Sequence, residues 1–478
     1  MEHVRAIEVG LVVLTAAQSV LAQVESAAEV GRYIITVVLV GVLAFHVARG
    51  VLVPGYALMI LNTVLLFGSF SVKYIVIAQA LLWVCLALGV YLFPLPAFPK
   101  ITSTYLNVGC VTERLEDLDV RIFYPSPAPT TSSSKRVFLP YLHHGKHLAI
   151  GLSIFAKIPA FIFSHFKNAW LHAVVDVPLL PPPSANGWPV IVFSHGLGGT
   201  LEMYAVLHEQ LASQGYVVFA LNHNDGSSSV NRLVDSTGRV TYDYYHPLPP
   251  EAAKDWDNVE YKIRNSQLQQ RVANVQSMIN AVEMVQADST SVFYQKLNLD
   301  GIGLVGHSFG GATVMTAATR DDRVKAVVAM DVWMAPLDKD VVLEGPRLPV
   351  FHLISEQWVN WTTHMETLSK NVSAATHPDT QLYSIKDSRH NNFSDLGLFS
   401  PKISQLARAA GKIDVTYVLE VIADVTGAYL KPHLDLGDAP SWTKLEAKYP
   451  ELSNMRQRTD MSTDGYQTFA SPKHTASL

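Results

Sequence analysis

Gly306, His307, Ser308, Phe309 and Gly310 spell G-x-S-x-G, the spacing at which a serine hydroxyl can be set to attack an acyl carbon. The serine of such a segment sits in a strained turn between a strand and a helix. Small residues two places before and two after let the two elements pass closely, and Gly306 and Gly310 supply them. The turn also aims the hydroxyl from the positive end of a helix, where developing negative charge is favoured. A serine needs a base, and in this kind of site the expected chain order is serine, acid, histidine. Among the histidines after Ser308, His352 lies in an apolar strand and reads as core, whereas His390 lies in the polar loop KDSRHNNFSD (386–395) near the end of the chain's last strand. His390 is therefore the candidate general base. Two carboxylates can orient it. Asp331 closes the apolar strand RVKAVVAMD (323–331) and Glu356 follows LPVFHLIS (348–355); both fall at a strand's C-terminal edge, and position does not separate them. Asp387 is too near His390 in the chain to orient it easily and reads as a solvated loop carboxylate. The N–H groups of Phe309 and of Leu197, in the glycine-rich loop 194–199, are the candidate oxyanion donors. His195 precedes the serine and reads as a residue that orients that loop.

These side chains must be held by strands that alternate with helices. WPVIVFSHG (188–196) is a buried strand running into glycine; LEMYAVLHEQLASQG (201–215) has helical spacing and a glycine stop, and YVVFAL (216–221) follows as a strand. Period-two spacing marks VRIFYP (120–125), and a long amphipathic helix is expected over 264–286. IGLVG (302–306), RVKAVVAMD, LPVFHLIS and QLYSI (381–385) are further strands. The alternation implies a mainly parallel sheet covered by helices on both faces, a catalytic domain spanning residues 99–453. Residues 454–478 are polar and aperiodic, which predicts a disordered tail.

The first 98 residues read differently. The chain is 49% hydrophobic and only 16% charged, and the excess is concentrated in apolar runs at 9–24, 33–48, 51–70 and 74–93. The last two approach the ~20 residues a membrane span needs, so three or four transmembrane helices and a multi-pass membrane protein are expected. A net charge of −5 without a long basic run sets nucleic acid aside. Two cysteines exclude a disulfide framework and a cysteine zinc ribbon. His143, His144 and His147 lack a metal-binding spacing and read as loop residues, so neither metal nor cofactor is called for. Nothing in the chain assigns an oligomeric state. The stretch 148–166 is nearly a membrane span but is interrupted by Lys157 and Pro159, and its expected role is docking at a lipid interface. Sequons stand at Asn360, Asn371 and Asn392, the last read as shaping the His390 loop.

VFSHGLGG (192–199), IGLVGHSFGGATV (302–314), AMDVWMAPL (329–337) and SRHNNFSDL (388–396), in that order, resemble the plasma and type II platelet-activating factor acetylhydrolases, group VII phospholipases A2. The resemblance runs from about residue 105 to 436. It implies an α/β-hydrolase fold and calcium-independent hydrolysis of short or oxidised sn-2 acyl groups of phospholipids, here beside a bilayer. It also implies Ser308, Asp331 and His390 as the triad, favouring Asp331 over Glu356 because 331 − 308 = 23 is similar to the family's spacing. Leu197 and Phe309 become its oxyanion donors. Two other readings are another lipase or polyester hydrolase on this scaffold, and an inactive membrane scaffold protein; intact serine, acid and histidine blocks count against the second.

Overall fold

The computed structural model describes residues 9–10, 12–13, 15–17, 52–67, 72–94, 96–128, 137–255 and 259–456. An 11-stranded sheet runs through it in the order β13-β12-β11-β10-β9-β5-β6-β2-β1-β4-β3. Its centre is parallel: β6 (Val217–Leu221), β5 (Trp188–Ser194), β9 (Leu297–His307), β10 (Val324–Met330), β11 (Val350–Ser355) and β12 (Gln381–Ile385) pair in that spatial order. On one side, β1 (Val108–Leu115) and β2 (Leu118–Pro125) form a tight antiparallel pair joined to β6, and β4 (Trp170–Val175) and β3 (Phe138–Pro140) extend that edge. At the other edge β13 (Leu452–Asn454) pairs antiparallel with β12. A hairpin of β7 (Val230–Val234) and β8 (Val240–Tyr244) stands apart. The central strands are continuous apolar runs because both faces are covered. Each face has its own core. Val190, Val192, Leu304 and Val327 pack with the long helix Tyr261–Ala287 and the helix Phe309–Ala318; Ile191, Val305 and Val328 pack with Ala205–Ser213 and Val415–His433. The layered α/β architecture thus agrees with the alternation of strands and helices.

The front of the chain does not agree. We number its helices α1 (Val53–Phe67) and α2 (Val72–Leu92). α1 has 15 residues, about 22 Å at a rise of 1.5 Å, against a hydrocarbon core of ~30 Å. The two helices also carry buried amides facing each other, Gln79 Nε2 donating to Asn62 Oδ1 at 2.7 Å. Among the described residues no helix is long and apolar enough to cross a membrane. The expected transmembrane bundle over residues 1–98, and with it the multi-pass membrane localisation, is therefore corrected. The run 33–48, most of 9–24 and the tail beyond 456 lie outside the described residues.

Candidate active site

β9 ends at His307 and the helix Phe309–Ala318, α6 in chain order after α3 (Lys146–Ala156), α4 (Ala205–Ser213) and α5 (Tyr261–Ala287), begins immediately after Ser308. Ser308 bridges them with φ 60° and ψ −117°, a left-handed conformation strained for any residue with a Cβ. Neighbouring strands hold it there: Ser308 N–H donates to Met330 O at 2.8 Å, and Trp333 N–H to Ser308 O at 3.0 Å. The two flanking glycines are sterically required. A Cβ on Gly306 would collide with Gly310 O, and a Cβ on Gly310 with Ser194 O.

β10 ends at Met330, and Asp331, at φ 39°, turns its carboxylate inward under the end of β11. Ser355 N–H donates to Oδ1 at 2.6 Å and the Ser355 hydroxyl to Oδ2 at 2.7 Å. Oδ2 also accepts His390 Nδ1–H at 3.0 Å, so the carboxylate is fully buried while the imidazole remains a quarter exposed. In a neutral imidazole that donation fixes the tautomer with the lone pair on Nε2. Among the described residues no hydrogen bond joins Nε2 to the Ser308 hydroxyl. The ring is nonetheless held beside the elbow, its centroid 4.4 Å from that of His307. Trp358 stacks on it at 4.6 Å and 11°. His390 N–H donates to Gln357 Oε1 at 3.0 Å, and Asn392 ties the loop by accepting from Arg389 N and Gly411 N at 2.8 and 2.7 Å. Glu356 is not brought to the imidazole: its Oε2 accepts from Asp387 N at 3.0 Å. His307, fully buried, is held well below the usual histidine range by desolvation and by His390 beside it, and Tyr204 Oη lies 2.9 Å from its Nδ1. His352 is a core histidine pushed down to about 3 by burial.

Leu197 lies in the turn after β5, and Phe309 is the first residue of α6. Among the described residues the N–H groups of both are without hydrogen-bond partners. Gly196 lets this loop approach the serine, for a Cβ there would be 3.2 Å from Ser308 Cβ. His195 is buried, with Nδ1 2.8 Å from Gly196 O, which fits its reading as a loop-orienting residue. Arg271, from the middle of α5 and fully buried, donates to His195 O at 2.8 Å and to Ser227 Oγ at 2.9 Å. Nothing in the spacing of the chain pointed to Arg271, Trp358 or Ser355. The only sign of Ser355 was its place at a strand's C-terminal edge.

The histidines before α3 do not join this site. His144 is bracketed by carboxylates, Nδ1 2.8 Å from Glu202 Oε1 and Nε2 3.4 Å from Asp119 Oδ2. His143 Nε2 is 3.8 Å from the same Asp119 oxygen, close enough for these groups to resemble a metal-binding set. Asp119, however, is already held by Arg232 at 2.7 Å and Arg114 at 3.3 Å, a closed ion-pair network. His147 instead stacks on Tyr242 at 3.7 Å. The stretch 148–166 divides in two: Leu148, Leu152 and Phe166 are core, while Phe161 is 73% exposed. Of the sequons, Asn371 and Asn392 are fully buried.

A mainly parallel sheet with helices on both faces and a glycine-flanked serine on a strand-to-helix turn places the chain among the α/β-hydrolases. The ferulic acid esterase of Streptomyces cinnamoneus has a similar fold, with a TM-score of 0.54 at 18% identity over 75% of this chain and 100% of that one. The family model for platelet-activating factor acetylhydrolase, isoform II, matches residues 95–448, and the chain belongs to that family. It is a carboxylic ester hydrolase. A platelet-activating factor acetylhydrolase of Canis lupus familiaris is 28% identical over 374 residues, covering 73% of this chain and 80% of the relative. A putative phospholipase A2 of Schizosaccharomyces pombe is 26% identical over 347 residues, 61% of this chain and 78% of that protein.

Proposed function

We propose that the protein is a calcium-independent phospholipase A2 that hydrolyses short or oxidised sn-2 acyl groups of phospholipids, with Ser308 as nucleophile, His390 as base and Asp331 as orienting acid. The observation that carries this reading is the 3.0 Å contact between His390 Nδ1 and Asp331 Oδ2 beside a serine held at positive φ. In the first half-reaction the Ser308 hydroxyl adds to the sn-2 carbonyl carbon while His390 Nε2 takes its proton. The carbonyl oxygen becomes an oxyanion, stabilised by the N–H groups of Leu197 and Phe309. Collapse breaks the ester bond, and His390 returns the proton to the departing lysophospholipid oxygen. Water then adds to the acyl-serine through the same base, releasing the fatty acid and restoring the serine. Asp331 holds the imidazole and stabilises the imidazolium formed in each half.

The aromatic rings near the elbow support a preference for small acyl groups. Trp333 packs edge-on against Phe309, and the Phe155 ring occupies the space that a Cβ on Gly198, in the candidate oxyanion loop, would need. Exposed Ile154, Ile158 and Phe161 supply apolar contact for a lipid aggregate approaching on that side. Ligation by a fluorophosphonate probe tests the chemistry: the folded wild type is expected to be labelled and Ser308→Ala not, and an unlabelled folded wild type would sink the reading. Hydrolysis of 2-acetyl against long-chain 2-acyl phosphatidylcholine in EDTA tests the substrate; equal rates, or a requirement for calcium, would count against it.

A further inference from the structure

The buried arginine of α5 has no part in the chemistry just described, yet its contacts converge on both proposed oxyanion donors. Gly196 C=O and Leu197 N–H are the two ends of one peptide group. Its oxygen accepts from Gly199 N–H at 3.0 Å and faces His195 Nδ1 at 2.8 Å, and Arg271 Nη2 donates to it at 3.4 Å. Nη1 of the same guanidinium holds the preceding carbonyl, His195 O, at 2.8 Å. The plane also lies over the ring of Phe309, 4.5 Å from its centroid, and Phe309 carries the other donor. Around the guanidinium also lie Ser227 Oγ at 2.9 Å, His195 Nδ1 at 3.2 Å, the Asp225 carboxylate at 3.3 Å and Thr313 Oγ1 at 3.5 Å.

We infer that Arg271 is a positioning residue for ester hydrolysis, one planar fork that sets the Gly196–Leu197 peptide and the Phe309 end of α6 at the spacing an oxyanion needs. The inference rests on the assignment of Leu197 and Phe309 as donors. Its physical basis is twofold. A guanidinium presents several N–H groups in fixed geometry, so two carbonyls held by it cannot rotate independently. A positive charge on the oxygen end of a peptide also polarises the N–H end, strengthening its donation to an anion in a site shielded from water. Burial pushes the guanidinium down only to about 10, so it stays charged at neutral pH. Desolvation is opposed there by the Asp225 carboxylate. Because the ground-state carbonyl gains less from these donors than the oxyanion does, the effect belongs in kcat and in the rate of phosphonylation, and KM is left nearly alone.

The test compares wild type, Arg271→Met and Arg271→Lys on a 2-acetyl phospholipid, with rates expressed per serine labelled at saturation by a fluorophosphonate, so that partly folded preparations are counted correctly. Arg271→Met is expected to lower both kcat and the phosphonylation rate about 100-fold with KM within twofold, the size seen when one oxyanion donor is lost. Arg271→Lys keeps the charge without the fork and is expected near tenfold below wild type. Wild-type kcat per labelled serine in either variant, or a rise confined to KM, overturns the inference. Should Arg271→Met fail to fold, Arg271→Lys decides alone. A wild type that takes no label defeats the serine-hydrolase reading itself, an outcome separate from the failure of the arginine.

Discussion

Two histidines in this protein are paired with buried carboxylates at nearly the same distance: His390 with Asp331 at 3.0 Å and His144 with Glu202 at 2.8 Å. Their surroundings differ in everything else. The His144 side chain is fully buried, and its second nitrogen faces Asp119 at 3.4 Å. Burial alone would lower it, but Glu202 and Asp119 outweigh burial and push it up to about 9. His390 is a quarter exposed and engages one carboxylate, and its ring centroid lies 4.4 Å from that of His307, the residue before the strained serine. A histidine–carboxylate pair is therefore not in itself a catalytic unit. Clamped at both nitrogens it is a fixed cation that ties β2 to the loop before α4; engaged at one nitrogen beside a nucleophile, it can cycle a proton.

This contrast predicts opposite kinds of damage. On the proposed mechanism His390→Ala lowers turnover by about 10⁶-fold while leaving the melting temperature within a few degrees, since the triad members act as a unit. Asp331→Asn is expected to lower it about 10⁴-fold, because the amide presents its N–H to Nδ1 and stabilises the wrong tautomer. His144→Ala should do the reverse: turnover per labelled serine stays near wild type, while stability falls by about 3 kcal/mol because buried Glu202 loses the cation beside it, Asp119 keeping Arg232 and Arg114. Denaturant unfolding alongside kinetics separates the cases. A His144→Ala protein that is as stable as wild type but inactive would erase the distinction.

Much of the first region was legible in the residues and little of the second. The elbow announces itself because two glycines at fixed offsets have a steric cause, and His390 stands out because a polar loop follows the last long strand. The choice between Asp331 and Glu356 was not legible from position, since both close strands; what separates them in space is the inward turn of Asp331 at φ 39° and the two donors of Ser355. Arg271 and Trp358 act through packing between elements distant in the chain, which no local pattern encodes. The same holds for the Asp119–His144–Glu202 network, whose members come from three separate segments. The layered sheet was legible because alternating strands and helices leave few topologies. The apolar runs were read as membrane spans, yet among the described residues no helix is long and apolar enough to cross a membrane, and a count of apolar residues does not show how they are divided among helices.

The clamped pair also carries a pH signature of stability. His144 has its raised value only in the fold, so its contribution is complete below the ordinary histidine value of 6.5 and is lost as pH rises through about 9. Asp395, fully buried, is pushed up to about 8 by desolvation and works in the same direction, its contribution waning from its ordinary 3.8 upward. The wild-type melting temperature is therefore expected to fall between pH 6.5 and 9, and His144→Gln to flatten that decline by a few degrees. Identical slopes in scanning calorimetry would remove His144 from the account.

Smaller effects probe how the open pair is oriented. Trp358 presents its face to the His390 ring, so Trp358→Leu should lower kcat about tenfold, the imidazole losing the ring that holds its plane and supports its charged form. Trp358→Phe should restore most of that loss. The charged or titratable neighbours facing that ring are Asp331, His307 and His364, and all remain in these variants. The least change is expected from Glu356, the other carboxylate at a strand end. Its Oε2 is engaged by the backbone N–H of Asp387, 3.0 Å away, an interaction a glutamine oxygen can reproduce. Glu356→Gln should thus stay within about threefold of wild-type kcat/KM, the size of a surface perturbation rather than of a lost triad member. A fall comparable to that of Asp331→Asn would mean that the imidazole exchanges carboxylates during turnover, and the pairing at 3.0 Å would then describe the resting enzyme alone.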